Sequence, residues 1–292
     1  MTEAADTFAD GVDVVIVSCN SGALLEDCVA RVLTAEGCTS LRLYDNASSD
    51  GWPQKVAARF ADDARFQWTP GGRNIGFGAA CNRAAAGGKA RWILFLNPDC
   101  LVDSTSLRML CAIAAADGRI GLLGADVRDA LGREEPAARR FDPTPARLLH
   151  DHLPLRRRSG AGVHQARGSD ALQRVDACSG ALMFMPRTVF AEVGGFDEDY
   201  FLHGEDLDLC ARVRAAGHDV VVANEVRVVH RQGSSSRSRP VFVAWHKHLG
   251  LGRFLARHQV HSLPGRVLLA IGIGAAFLLR GLPKAWLSRG AS

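Results

Sequence analysis

Carboxylates and amides gather at a few points of this 292-residue sequence. Asp45 and Asn46 follow the apolar run LRLY, with Asp50 a little further on. Asn97 and Asp99 follow WILFL, and Glu205, Asp206 and Asp208 crowd the front of FLHGEDLDLCARVRAAG. Acids at a helix start meet unpaired N–H groups, worth about 0.3–1 kcal/mol each, so capping alone accounts for some of them. A lone polar residue after a strand is usually a turn former. Several such ends together describe a shared polar cleft, because ligands of open α/β sheets gather beyond the carboxyl ends of the strands. A carboxylate cleft suits a hard divalent cation, Mg2+ or Mn2+, which takes oxygen ligands and bridges to substrate phosphates. Such a cation can neutralise a diphosphate leaving group while a separate carboxylate deprotonates an acceptor hydroxyl. The two jobs need two environments, one on the cation and one facing the acceptor.

Other chemistries lack their residues. The first apolar strand runs into SCNSGALLED rather than G-x-G-x-x-G, and no Walker lysine, G-x-S-x-G elbow or H-E-x-x-H occurs. The glycine-rich GGRNIGFGAACN carries no phosphate-binding lysine. The eight cysteines form no C-x-x-C pair, and the acidic opening MTEAADTFADG lacks the basic start and apolar run of a secretory signal. A reduced, cytosolic setting with buried thiols is expected.

The elements that must position these residues alternate. Strands are expected at 12–19, 41–45, 65–69, 91–99 and IGLLGADV, with helices near 23–33, 53–60, 76–86 and 104–116. That rhythm predicts an α/β sandwich around a mainly parallel sheet. Residues 130–170 break it with four prolines and an Arg triplet, and read as an irregular insertion on the acceptor side. HDVVVANEVRVVH reads as one or two strands, and Met183, Phe184 and Met185 as core. If the acidic stretch is helical, Asp208 faces away from Asp206 and can pair with Arg212, four residues on, while Leu209, Cys210 and Val213 form the buried stripe. Asp208 then reads as structural, Glu205 as capping or orienting, and His203 as a neighbour of the acidic group.

The formal net charge of +4 hides an asymmetry. From Val226 onward there are eleven Lys plus Arg, five His and no acid, so the preceding residues sum to −7. The same tail holds VLLAIGIGAAFLL, thirteen residues bracketed by Arg266 and Arg280. That is short of the roughly 20 residues a spanning helix needs. It reads as a helix lying on or dipping into a membrane surface, with a buried helix or a dimer contact as the alternative.

These stretches together resemble a family 2 glycosyltransferase of the GT-A fold, in particular bacterial dTDP-rhamnosyl transferases of cell-wall and O-antigen assembly. The resemblance is carried, over roughly 12–235, by VVIVSCN, YDNASSDG, NIGFGAACNRA, LFLNPD, the long SGALMFMP…GEDLDLCARVRAAGH stretch and the late His230. It implies that Asp45, with Asn20, Asn46 and Asp50 nearby, meets the donor base or ribose. It also implies donor contacts from Asn74, Gly76, Phe77 and Asn82. Asn97 and Asp99 stand at the family's D-x-D motif; Asn97 departs from it, so Asp99 is the surer ligand, with His230 completing the metal site. Asp206 would be the general base, supported by Glu205, in a single inverting displacement. The implied partners are a nucleotide-diphospho-sugar donor, a polyprenyl-diphosphate-linked glycan acceptor and an anionic membrane surface, with a homodimer possible and no nucleic acid. The implied location is peripheral, on the cytoplasmic face of the inner membrane. A galactofuranosyl or other UDP- or GDP-sugar transferase with a soluble or protein acceptor is the alternative, and an inactive sugar-nucleotide-binding module the non-enzymatic one. The expected division is a transferase domain over 1–237 and a basic, apolar helical tail over 238–292.

Overall fold

The first strand, β1 (Val12–Ser18), is buried along its whole length. Strands covered on both faces read as continuous apolar runs rather than alternating ones. In the computed structural model, which describes residues 11–152, 163–231 and 239–287, β1 lies inside a nine-stranded sheet. Its parallel neighbours are β2 (Cys38–Asp45) and β4 (Trp92–Leu96), and β3 (Phe66–Pro70) extends the sheet beyond β2. The crossovers are α1 (Leu24–Thr34), α2 (Trp52–Arg59) and α3 (Phe77–Ala86). Past β4, β5 (Cys100–Leu101), α4 (Ser106–Ala116) and β6 (Ile120–Arg128) follow. β10 (Leu182–Pro186), which leads into α6 (Arg187–Glu192), then inserts antiparallel between β4 and β6. β11 (Asp219–His230) runs parallel to β6, with β5 on its far side and β8 (Leu172–Arg174) also paired to it.

Register fixes which residues meet. Ser18 stands beside Asp45, Ile16 beside Leu96, Leu96 beside Leu182, and His230 beside Cys100. The carboxyl ends of β1, β2, β4 and β11 therefore share one sheet edge with the amino end of β10. One face of the sheet packs on α1 and α4 through Leu25, Val29, Leu107 and Leu110. The other packs on α3, α7 (Glu205–Ala215) and α8 (Pro240–His258) through Ala80, Cys210 and Phe254. All eight cysteines are free thiols, seven of them buried.

Most elements fall where the periodicity predicts. HDVVVANEVRVVH is a single strand, bent by a register shift between Ala223 and Arg227. The 130–170 insertion is more ordered than its prolines suggest. It holds a 3-10 turn (Pro136–Ala138), β7 (Arg139–Arg140) and α5 (Pro145–His152). β7 pairs with β9 (Ala177–Cys178), just ahead of β10, which ties the insertion to the shared edge. The Arg triplet at 156–158 lies outside the described residues.

The division expected between 237 and 238 does not match the packing. In α8, Phe254 and Leu255 are buried at 0% and 1% exposure. Gly250 lies so close that a Cβ there would stand 2.0 Å from the His203 carbonyl oxygen. His258 Nε2 lies 2.8 Å from Asp208 on α7. This helix is part of the domain's second layer, because its apolar stripe completes the cluster under α7. Beyond it, α9 (Leu263–Ala276) continues through a π-helical turn (Phe277–Gly281) into α10 (Leu282–Leu287). The stretch Leu263–Gly281 is 19 residues with a mean hydropathy of 1.6, long and apolar enough to cross a membrane by length and composition. It is longer than the thirteen-residue run because the helix starts four residues earlier, at Leu263, and carries on two residues further, through Arg280 to Gly281.

Candidate active site

At the carboxyl ends of β1, β2 and β3, three loops form one hydrogen-bonded unit. Asn20 sits at φ 56°, a left-handed conformation that asparagine tolerates better than most residues. Its Oδ1 accepts from the Ser49 N–H at 2.8 Å. Asp45 Oδ1 accepts from the Ser48 N–H at 2.8 Å, and Asp50 Oδ2 from the Gly22 N–H at 2.9 Å. Asn46 Nδ2 donates to Asn74 Oδ1 at 3.0 Å and to the Gly76 carbonyl at 3.2 Å. Its Oδ1 accepts from the Ile75 N–H. Asn46 and Asp50 thus serve first to lock the loops after β1, β2 and β3 together. Gly76, at φ 89°, leaves no room for a side chain, since a Cβ would meet the Phe201 carbonyl at 2.7 Å. The next residue, Phe77, donates its N–H to that carbonyl at 3.0 Å. These loops therefore abut the segment that leads into the acidic helix. Asn82 has other duties: it clamps α3 to Phe196 in both directions at 2.9 Å and reaches Glu198 at 3.0 Å.

A second group closes around His230. Its Nε2 lies 3.1 Å from Asp99 Oδ1, and its Nδ1 lies 3.0 Å from Glu135 Oε1. Burial opposes charge on the ring, but the bonds to Asp99 and Glu135 outweigh it and push the imidazole pKa up to about 10. Asn97 fixes the neighbouring turn by donating its N–H to the Ala181 carbonyl at 2.9 Å. Glu135 carries no sequence signal, being one acid in a proline-broken insertion. Its place comes from its N–H, which donates to the Val127 carbonyl on β6 at 3.0 Å.

The third group sits at the start of α7, after Gly204 at φ 95°. Asp206 Oδ2 lies 2.5 Å from Arg140 Nη2 and accepts from the Gly180 N–H at 3.2 Å. Its Oδ1 accepts from the Leu207 N–H at 2.8 Å. Burial raises its pKa, yet the Arg140 charge and hydrogen bond outweigh that and hold it below the usual range. Glu205 is shifted the other way, to about 8, first by burial and then by the charge of Asp206. Adjacent carboxylates are thus split into an ionised one and a protonated one at neutral pH. Arg140 is a residue that the sequence reading passes over, since only the pairing of β7 with β9 brings it here. Asp208, fully buried, pairs with Arg212 at 2.7 Å, as the four-residue spacing predicts.

Residues 9–243 match the family described as glycosyltransferase like family 2. The chain belongs to this family. It is 32% identical over 257 residues to the N-acetylglucosaminyl-diphospho-decaprenol L-rhamnosyltransferase of Mycobacterium tuberculosis, covering 82% of this chain and 83% of that one. Among solved structures it resembles GalNAc-T7, crystallised with UDP, GalNAc and Mn2+, at TM-score 0.61 and 17% identity. That match covers 87% of this chain but only about half, 52%, of the longer protein. It also resembles the mannosyltransferase PcManGT of Pyrobaculum calidifontis, in complex with GDP-Man and Mn2+, at TM-score 0.60 and 16% identity. That match covers 96% of this chain and 73% of the other. The fold of the transferase is GT-A, its sheet mostly parallel with antiparallel insertions.

The His230 group fits a hard divalent cation. Neighbouring ligands on an octahedral ion with bonds of about 2.1 Å stand about 3 Å apart. Asp99 Oδ1 and His230 Nε2, 3.1 Å apart, now share the imidazolium proton; a divalent cation bound there would replace that proton, and an oxygen with the freed imidazole nitrogen suits Mn2+ or Mg2+. Cys100 lies within the same cluster but is fully buried, and burial drives its thiol well above its ordinary pKa. A thiol is moreover a soft donor, and a hard divalent cation takes oxygen and imidazole nitrogen ahead of it. Glu135, on the far ring nitrogen, orients the imidazole.

Proposed function

We propose that this transferase moves L-rhamnose from dTDP-L-rhamnose onto a hydroxyl of a lipid-diphosphate-linked glycan in cell-envelope polysaccharide synthesis. The observation that carries the chemistry is the ionised Asp206, set on the same sheet edge as the Asp99–His230 pair and beside the donor loops. The likeness to the mycobacterial rhamnosyltransferase supports this choice of donor and acceptor.

In the proposed reaction Asp206 takes the proton of the acceptor hydroxyl, and that oxygen attacks the anomeric carbon from the face opposite the leaving group. The bond from the anomeric carbon to the diphosphate breaks, the nucleoside diphosphate leaves, and the configuration inverts. Arg140 keeps Asp206 ionised until the hydroxyl arrives. Protonated Glu205 stays neutral beside it and avoids a second buried negative charge. Asp45 and Asn20 line the donor end, while Asn46, Asn74 and Asp50 hold its loops. Asp99 and His230 would hold a divalent cation, which when bound neutralises charge on the departing diphosphate. The basic, apolar C-terminal helices support a peripheral position on the membrane that carries the acceptor.

The test is transfer by the full-length protein from a panel of nucleotide sugars to a polyprenyl-diphosphate-linked N-acetylglucosamine, with Mg2+ or Mn2+. Release of dTDP together with a rhamnosylated lipid is the expected result. Turnover of a UDP- or GDP-sugar instead would replace the donor, and no turnover of any donor would leave only a binding module.

A further inference from the structure

Three residues ahead of Asp206 a cavity of about 130 Å3 opens between the 199–203 segment and α8. That is roughly tenfold the space a single water needs. Its walls include Tyr200, Phe201, His203, His246, Leu249 and Arg253. Two of these carry buried polar atoms without a hydrogen-bond partner, the Tyr200 hydroxyl and His203 Nε2. Leaving such a group unpaired costs about 1–3 kcal/mol, which a ligand accepting from it would recover. Tyr200 is only 2% exposed, and no other role for its hydroxyl is visible among the described residues. His203 also holds a left-handed backbone at φ 67°, a conformation that non-glycine residues adopt mainly at ligand clamps and turns. One acid, Asp199, also lines the cavity, and Arg253 neutralises it at 2.7 Å. α8 carries Lys247, Arg253, Arg257 and no acid. Burial first, and then the nearby charge of Lys247, push the His203 pKa down to about 4, leaving a neutral ring able to donate one N–H.

We infer that this cavity is the subsite for the diphosphate of the lipid-linked acceptor, with Tyr200 and His203 donating to phosphoryl oxygens and Lys247 supplying the opposing charge. The inference rests on the acceptor class proposed above and says where its head group sits. The spacing is suitable. From His203 to Asp206 the chain spans at most about 11 Å, so a hydroxyl at Asp206 and a diphosphate at His203 are within the reach of one glycosyl diphosphate. On the far side of the cavity the surface turns apolar. Leu249 and Trp245 are 43% and 42% exposed, and Trp245 meets Phe277 of the apolar helix at 4.9 Å between ring centroids. A prenyl chain leaving the diphosphate has a continuous apolar course from α8 onto α9.

The test is equilibrium binding of farnesyl diphosphate to the full-length protein by calorimetry, with farnesol and phosphatidylglycerol vesicles as comparison arms. We expect Y200F, K247A and H203N each to weaken farnesyl diphosphate binding at least about tenfold. Asparagine keeps the left-handed backbone accessible at 203. Farnesol and vesicle binding should stay unchanged. Y200F should also keep its full melting temperature, since removing an unpaired hydroxyl leaves nothing unsatisfied. Unaltered diphosphate affinity in all three variants would overturn the subsite. So would equal loss for farnesol, and a parallel loss of vesicle binding would reassign the cavity to phospholipid head groups. Because binding is read without transfer, a protein that binds farnesyl diphosphate through these residues yet transfers no rhamnose would refute the donor assignment and leave the subsite standing.

Discussion

The two adjacent carboxylates at the head of α7 have opposite tasks, and each can be tested separately. D206N removes the proton acceptor while keeping a group that can still accept from the Gly180 N–H. General base catalysis is worth about 10²–10⁴, so turnover should fall by that factor with donor binding unaltered. A variant keeping a tenth of the activity would remove Asp206 from this role. Glu205 makes its mark in stability. Its folded pKa of about 8 lies above its ordinary 4.5, so between those values the folded state binds more protons than the unfolded one. Stability therefore falls as pH rises through that window and is level on either side. E205Q lacks the ionisation, and its melting temperature relative to the parent should climb from pH 5 to pH 8. A constant difference would show that Glu205 is already ionised. At the proposed cation site, E135Q should loosen the His230 imidazole, and outer partners of this kind are worth about 10–100-fold in metal affinity. Mn2+ titration followed by electron paramagnetic resonance reads that directly. Asp99 stood out as an acid at the end of an apolar run and Asp206 as one of the acids crowding a helix start, whereas His230 entered only through the resemblance to family 2 glycosyltransferases. Glu135 and Arg140 were not legible, because both sit in an insertion with no periodicity and reach the site only through pairing with β6 and β9.

At the scale of elements, the strands and crossover helices could be read from their patterns because both faces of the sheet are covered. Continuous apolar runs such as WILFL have no other place to go. The antiparallel insertion of β10 was not legible, since a run such as LMFMP carries no mark of direction. The role of α8 was hidden for a different reason. Its composition is that of a basic surface helix, and only contact reveals that Phe254 and Gly250 face the protein. Two glycines on α8 separate these roles. At Gly250 a Cβ would collide with the backbone of His203, and forced overpacking costs about 1–3 kcal/mol. At Gly252 a Cβ would make an ordinary contact of 3.4 Å with Ile273, and alanine gains up to about 1 kcal/mol of helix propensity. G250A should therefore lower the melting temperature and slow transfer, while G252A should hold or raise it. Equal behaviour in calorimetry would mean that α8 is not docked through Gly250.

Over the whole molecule, the acid-free C-terminal region divides into a part that serves the domain and a part that faces outward. Arg253 pairs with Asp199 at 2.7 Å, Arg257 with Asp197, and His258 with the buried Asp208. Much of the basic charge of α8 is thus already engaged, and charge alone is a weak basis for membrane attachment. The outward part is apolar. Leu263, Leu268 and Leu279 are 70–76% exposed, and the 19-residue stretch is about 28 Å long at 1.5 Å per residue. A face of that kind needs a partner, and a lipid surface beside the proposed diphosphate subsite is one that the substrate itself would bring. Removal of everything after 237 would be a poor test, because it strips Phe254 and Leu255 from the core. Ending the chain after Ser262 keeps α8 and removes only the outward helices. The full-length protein should float with anionic liposomes, and should continue to do so at roughly 1 M salt, where screening cuts the reach of charge to about 3 Å. The shortened protein should remain folded, bind farnesyl diphosphate more weakly and stay at the bottom of the gradient. Flotation lost at high salt would return the contact to the basic residues. A full-length protein that ignores liposomes but sediments as a dimer, and becomes a monomer when shortened, would assign the apolar face to a second copy of the chain.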